Sequence, residues 1–123
     1  MSYSIEFVEE DSHLLAAITG EISSYDALSE KVRKVMEEAE KREHKRVLVD
    51  DRALRMNVDF YDAQCLAREI EEASMQLKGF RIACLCKPEV KASYRVFETN
   101  HQNRSFNFRA FMDLEAALDW LGA

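Results

Sequence analysis

Residues 47–52 read Val47-Leu48-Val49-Asp50-Asp51-Arg52, an apolar run that stops at charged residues. Three consecutive apolar residues without alternation are typical of a strand buried on both faces, as in the middle of a parallel sheet. We expect the strand to stop at the charged residues and a loop to follow over residues 53–58. The stretch therefore predicts a central strand, and the flanking sequence shows what surrounds it.

A hairpin and a helix are predicted before this strand. Apolar and polar residues alternate over residues 3–9, and the strand pattern resumes over residues 13–19 after a polar turn, which predicts an antiparallel pair. Ser23 or Ser24 can cap a helix that follows. The apolar side chains of this helix recur at helical spacing; they are Leu28, Val32, Val35, Met36 and Ala39. A basic run follows, formed by Lys41, Arg42, Lys45 and Arg46. We favour stabilisation of the helix end over an anion-binding patch as its role, because cations are favoured near exposed helix carbonyls.

Helices and strands alternate after the central strand. A helix is predicted from Asp59 to Gly79, a strand from Phe80 to Cys86, and a further helix after Pro88. A last strand covers residues 106–110, and Asp113 caps a short final helix. Its inward residues are expected to be Leu114, Ala117, Leu118 and Leu121. The order β-β-α-β-α-β-α-β-α predicts an α/β fold with a mixed, mostly parallel five-stranded sheet covered by helices.

The composition limits the classes of protein. A chain of 123 residues is long enough for one domain, which we take to cover residues 1–123. With 17 basic and 23 acidic residues, the formal charge of −6 disfavours a general nucleic-acid binder. No apolar run approaches the roughly 20 residues of a transmembrane helix. The acidic N-terminal stretch lacks the features of a signal peptide, so we expect a cytoplasmic protein. We expect Cys84 and Cys86 to be buried as small apolar residues rather than to form a disulfide.

The order of elements and three stretches resemble the STAS family, the SpoIIAA-like fold of bacterial anti-sigma factor antagonists. The first stretch, Leu15–Ile22, ends in Thr19-Gly20-Glu21-Ile22, and the second is Val47–Asp51. The third, residues 109–111 with residues 115–121, is similar to an uncharacterised bacterial branch. The resemblance implies a non-enzymatic regulatory module that docks to a protein partner or to itself as a homodimer.

In the antagonists that the chain resembles, a Ser or Thr at the start of the helix after the third strand is phosphorylated. Residues 55–62 contain neither, and Asp59 falls near that position. Asp59 is either a mimic of the phosphorylated residue or a helix N-cap, and we favour the cap. The predicted partner-binding residues are Asp51, Arg52, Arg55, Asp59 and Asp62.

The remaining chemistry favours no enzyme and no cofactor. The acidic residues around the end of the central strand suit Mg²⁺, but the hydroxyl and lysine partners of a phosphoaspartate site are missing. No zinc-ligand spacing and no nucleophile motif occurs, so we expect no metal and no catalytic residues. The alternative function is binding of a small molecule or a lipid head group. Its predicted ligand-binding residues are Tyr94, Phe97, Arg104 and Arg109.

Overall fold

A computed structural model of the chain describes residues 2–58, 61–62, 65–66, 68, 79–88 and 107–122. Within these ranges the structure contains five strands and two helices with complete bounds. The strands are β1 (Tyr3–Glu9), β2 (Leu14–Ile22), β3 (Arg46–Met56), β4 (Arg81–Leu85) and β5 (Asn107–Phe111). The helices are α1 (Tyr25–Lys41) and α2 (Leu114–Leu121).

The five strands form one sheet in the order β1-β2-β3-β4-β5. The β1–β2 pair is antiparallel, and the other three pairs are parallel. The predicted α/β fold with a mixed, mostly parallel five-stranded sheet is therefore confirmed. Of the predicted second helix, residues 61–62, 65–66 and 68 are described and are helical. The rest of that helix, and the helix expected after Pro88, lie outside the described residues.

Strand β3 is longer than the sequence pattern predicted. It continues through Asp50 and Asp51 to Met56, so the expectation of a loop from residue 53 was wrong for residues 53–56. The cause is a bulge: Ala17 pairs with Asp50 and Thr19 with Ala53, which leaves two residues of β3 opposite one residue of β2. Because side chains alternate along a strand, the extra residue changes which side chains face the core after it. In the sequence, the charged residues and the shifted alternation of apolar side chains therefore look like the end of a strand.

The sheet is covered on both faces. On one face, the core contains apolar side chains of β2, β3, β4 and α1, together with Leu66 and Phe80. On the other face, α2 packs Ala117 and Leu121 against Leu48, Ala83 and Leu85. The two faces of the central strands are thus both buried, as the unbroken run at residues 47–49 predicted.

Both helices begin at the predicted caps. The Ser24 hydroxyl accepts a hydrogen bond from the Ala27 amide at 3.2 Å, and the Asp113 carboxylate accepts one from the Ala116 amide at 2.9 Å. Leu114 was expected to face inward but is exposed. It lies in the first turn of α2, beyond the end of β5 at Phe111, whereas the buried residues of α2 lie further along.

None of the described helices combines the length and the apolar character needed to span a membrane.

Candidate functional site

The predicted partner-binding residues lie at the end of β3 and in the segment that follows it. In the parallel part of an α/β sheet, the carboxyl ends of the strands are the usual location of binding sites. We use the name β3-end surface for Arg52, Arg55, Tyr61 and Asp62. The four residues come from the last part of β3 and from the helical residues that follow.

Arg52 is held by Asp50, two residues earlier in β3. The Arg52 guanidinium donates from Nε to Asp50 Oδ1 and from Nη2 to Asp50 Oδ2, both at 2.9 Å. The Arg52 amide also donates to Oδ1 at 3.1 Å. These hydrogen bonds hold the pKa of the Asp50 carboxyl below its usual value. The pair presents a charged group of defined orientation, with nearly half of the Arg52 side chain exposed.

Arg55 is the second exposed arginine of this surface. It pairs in register with Glu21 of β2 across the parallel ladder, so their side chains are on the same face of the sheet. Among the described residues, Arg55 forms no ion pair with a carboxylate within 4 Å. Its guanidinium is therefore a cation that is accessible to a partner.

Asp51 was predicted to bind a partner, but the structure places it inside the protein. It is 3% exposed and accepts a hydrogen bond from Lys31 Nζ of α1 at 2.6 Å. The Cys84 thiol of β4 donates to the same carboxylate oxygen at 3.5 Å. The bulge explains the placement, because Asp51 continues the inward phase of Val47 and Val49 before the phase changes. In this structure Asp51 is thus a buried residue that joins β3 to α1.

Lys31 is a buried neighbour of Asp51 that the sequence analysis missed. It lies three positions after Leu28 and four positions before Val35, and thus on the buried stripe of α1. Lysine is rarely buried unless it is paired, and the partner is distant in sequence. Its helical spacing from these apolar residues was the signal in the sequence that could have revealed its burial.

The Cys84 thiol shares this buried position. Burial raises its pKa well above the usual value, and the negative charge of Asp51 acts in the same direction. Cys84 and Cys86 are both buried and free, as expected for small apolar side chains. Both effects favour the protonated form of the thiol.

Tyr61 was also missed as a surface residue. Its side chain is 70% exposed, the largest value among the exposed large apolar residues of the described chain. A hydrogen bond with Cys65, one helical turn further on, raises the pKa of Tyr61. Asp62 is half-buried next to it. The signal in the sequence that could have revealed it was its position next to Asp62, in the segment after β3 that was predicted to bind a partner.

Four of the predicted site residues lie outside the described residues, and their roles stay predictions. They are Asp59, Tyr94, Phe97 and Arg104. Arg109 is exposed on β5, and its guanidinium lies 5.6 Å from the centre of the Phe111 ring. Within the described ranges, no three His, Cys, Asp or Glu side chains come together as a metal site.

Comparisons with known proteins establish the fold. No family model matches the chain, and no curated protein matches its sequence. Among solved structures, an anti-sigma factor antagonist from Mycobacterium paratuberculosis matches with a TM-score of 0.61 and 16% identity, over 99% of this chain and 96% of that chain.

Two further structures match with a TM-score of 0.54 and 20% identity each. One is an uncharacterized protein of the DUF3478 family with a SpoIIAA-like fold from Shewanella loihica, over 97% of this chain and 93% of that chain. The other is a variant of RsbS from Moorella thermoacetica, over 96% of this chain and 94% of that chain. The expected resemblance is confirmed at the level of the fold: this chain has the SpoIIAA-like fold of the STAS proteins.

Proposed function

We propose that the protein is a non-enzymatic, cytoplasmic regulatory module that docks to a protein partner through the β3-end surface. The observation that carries the proposal is the exposure of Arg52, Arg55 and Tyr61 within ten residues of one another, in the last part of a central strand and in the segment that follows it. Arginine and tyrosine are the side chains that most often dominate binding energy at protein interfaces.

The arrangement below the surface supports this role. The Lys31–Asp51 ion pair joins α1 to β3 at the residue before Arg52, and the Asp50 carboxylate fixes the Arg52 side chain. A surface that is ordered before binding loses less conformational entropy on association. The charged groups are thus positioned in advance for a partner.

The comparisons support a protein as the ligand. Two of the similar structures are an anti-sigma factor antagonist and RsbS, and residues 55–62 of this chain contain no Ser or Thr. We therefore propose docking that does not depend on phosphorylation of this segment. The proposed partners include a second copy of the chain.

Charge reversal tests the proposal. Arg55→Glu is compared with Lys41→Glu, which makes the same charge change at an exposed position at the end of α1. Each variant is used to capture partners from the source cells, and the captured protein is quantified by mass spectrometry. We expect Arg55→Glu to reduce capture at least about tenfold, because reversal of an interface charge replaces attraction with repulsion. Equal capture by both variants would exclude this surface.

A further inference from the structure

A groove lies at the opposite edge of the sheet, where β3, β4 and β5 begin. It has a volume of about 550 Å³, and its lining includes Lys45, Arg46, Phe80, Arg81 and Asn107. A second cavity of about 750 Å³ shares Glu43, His44, Lys45 and Phe80 with it and also includes Glu40 near the end of α1. We call the two together the amino-edge groove. Their volumes lie in the range of small-molecule sites, roughly 300–1,000 Å³.

The basic run after α1 is divided by the fold. Arg42 is neutralised locally, since its Nε donates to Glu38 at 2.6 Å and its Nη1 lies 3.8 Å from Glu9. The contacts of Arg42 agree with the predicted role of the basic run in stabilising the end of α1. Lys45 and Arg46 instead line the groove, where they meet Arg81 of β4.

Arg46 and Arg81 are brought together by the register of the sheet. They are direct partners on the neighbouring parallel strands β3 and β4, so two guanidinium groups start from adjacent backbone positions. Like charges in this arrangement repel one another unless a counter-charge is present. Among the described residues, neither arginine has a carboxylate within 4 Å.

Both arginines make contacts that orient them without using up their donors. Arg81 Nη1 donates to the Trp120 carbonyl at 2.9 Å, and its guanidinium lies 5.2 Å from the centre of the Trp120 ring. Arg46 Nη1 lies 3.5 Å from the Gly122 carbonyl. An arginine has five N–H donors, and each of these carbonyl contacts uses one of them.

The described residues that line the first cavity carry a net positive charge, unlike the protein as a whole. They include the three cations Lys45, Arg46 and Arg81 and one carboxylate, that of Glu43; the second cavity adds Glu40, while the whole chain carries −6. A phosphate monoester carries about −1.5 to −2 charges at pH 7 and three acceptor oxygens, which matches two adjacent guanidinium groups. We propose that the amino-edge groove binds a small organic phosphate, whose oxygens accept hydrogen bonds from Arg46 and Arg81. This inference goes beyond the proposed docking function and does not depend on it.

The test is titration calorimetry of the protein with glycerol 3-phosphate and with inorganic phosphate. Arg46→Gln removes one groove cation, and Arg55→Gln removes the same charge from the other end of the same strand. We expect saturable binding of glycerol 3-phosphate to the unmodified protein and to Arg55→Gln. Arg46→Gln should bind roughly tenfold more weakly or worse, because charge-assisted hydrogen bonds to phosphate are lost.

Three results would overturn the proposal. One is the absence of saturable binding to either phosphate at millimolar concentrations, and another is equal binding by Arg46→Gln and Arg55→Gln. The third is binding to phosphatidylcholine vesicles that contain phosphatidic acid without binding to glycerol 3-phosphate, which would indicate a lipid surface.

Arg81→Lys serves as a second variant, because Arg81 also contacts α2 and a larger change could disturb that helix. The lysine retains the charge, and we expect it to lower the affinity for glycerol 3-phosphate because it cannot form two parallel hydrogen bonds to the phosphate. The outcome of the docking test at Arg55 does not depend on any of these results.

Discussion

Glu43, the residue after the C-cap of α1, adopts a backbone conformation that favours glycine. Its φ is 61°, and the amide of His44 bonds to the Ala39 carbonyl while that of Glu43 bonds to the Glu40 carbonyl. These two hydrogen bonds form a Schellman motif, in which the left-handed residue is usually glycine. A side chain at this position therefore costs stability.

Replacement of this side chain should stabilise the protein. We expect Glu43→Gly to raise the free energy of unfolding by about 0.5–1 kcal/mol, since the relief of left-handed strain exceeds the added entropy of the unfolded chain. Urea unfolding measures the change. Glu37→Gly, the same substitution at an exposed position within α1, should instead destabilise by about 1 kcal/mol. Loss of stability in both variants would contradict this account of the helix end.

His13 predicts a dependence of stability on pH. Burial lowers its pKa below 6.5, an effect that the positive charge of His44 reinforces and Glu10 opposes. The neutral form therefore fits the folded state, and protonation favours the unfolded state. The contribution is fully present above about pH 6.5, the value of the unfolded chain, and is lost as the pH falls through the lower folded pKa.

We expect the loss of stability at low pH to depend on the His13 side chain. We expect the free energy of unfolding to fall as the pH drops below about 6.5, and His13→Gln should reduce this fall because it removes the titrating group. Chemical denaturation at a series of pH values measures both. An identical pH profile in the variant would assign the loss to other groups.

At the scale of elements, α1 and β3 are joined by the Lys31–Asp51 pair, whose side chains are 6% and 1% exposed. Lys31→Met leaves the Asp51 carboxylate without this cation in a buried position, and we expect a loss of about 3–5 kcal/mol in the free energy of unfolding. The double variant Lys31→Met/Asp51→Leu should recover most of that loss, because apolar groups replace both charges. Thermal and urea unfolding provide the measurement. A single variant as stable as the unmodified protein would show that the pair contributes nothing.

The same elements show what could be predicted from the sequence. The strands and the helix caps could be predicted, because apolar spacing and the cap residues Ser24 and Asp113 determine them locally. The second half of β3 could not, because its bulge depends on pairing with β2 and reverses the apparent phase. The burial of Asp51 with Lys31 depends likewise on a contact between residues 20 positions apart. Of the candidate site, the exposed arginines were found, while Lys31 and Tyr61 were not.

At the scale of the whole molecule, the two edges of the sheet carry two separate proposals. The carboxyl end of β3 presents Arg52 and Arg55 for a protein, and the amino end of the same strand places Arg46 in a groove suited to a phosphate. Because β3 spans the distance between them, single substitutions at one edge leave the other unchanged. The two functions can therefore be measured independently on one protein.

The central claim is that a protein partner docks at the β3-end surface. The most direct test places a photo-crosslinking amino acid at Arg55 or, as the control, at Lys41, both of which are exposed. Irradiation of the source cells is followed by mass measurement of the crosslinked product. We predict one product of defined mass from position 55 and none of that mass from position 41, with twice the chain mass if the partner is a second copy. The absence of a product from position 55, or the same product from both positions, would contradict the claim.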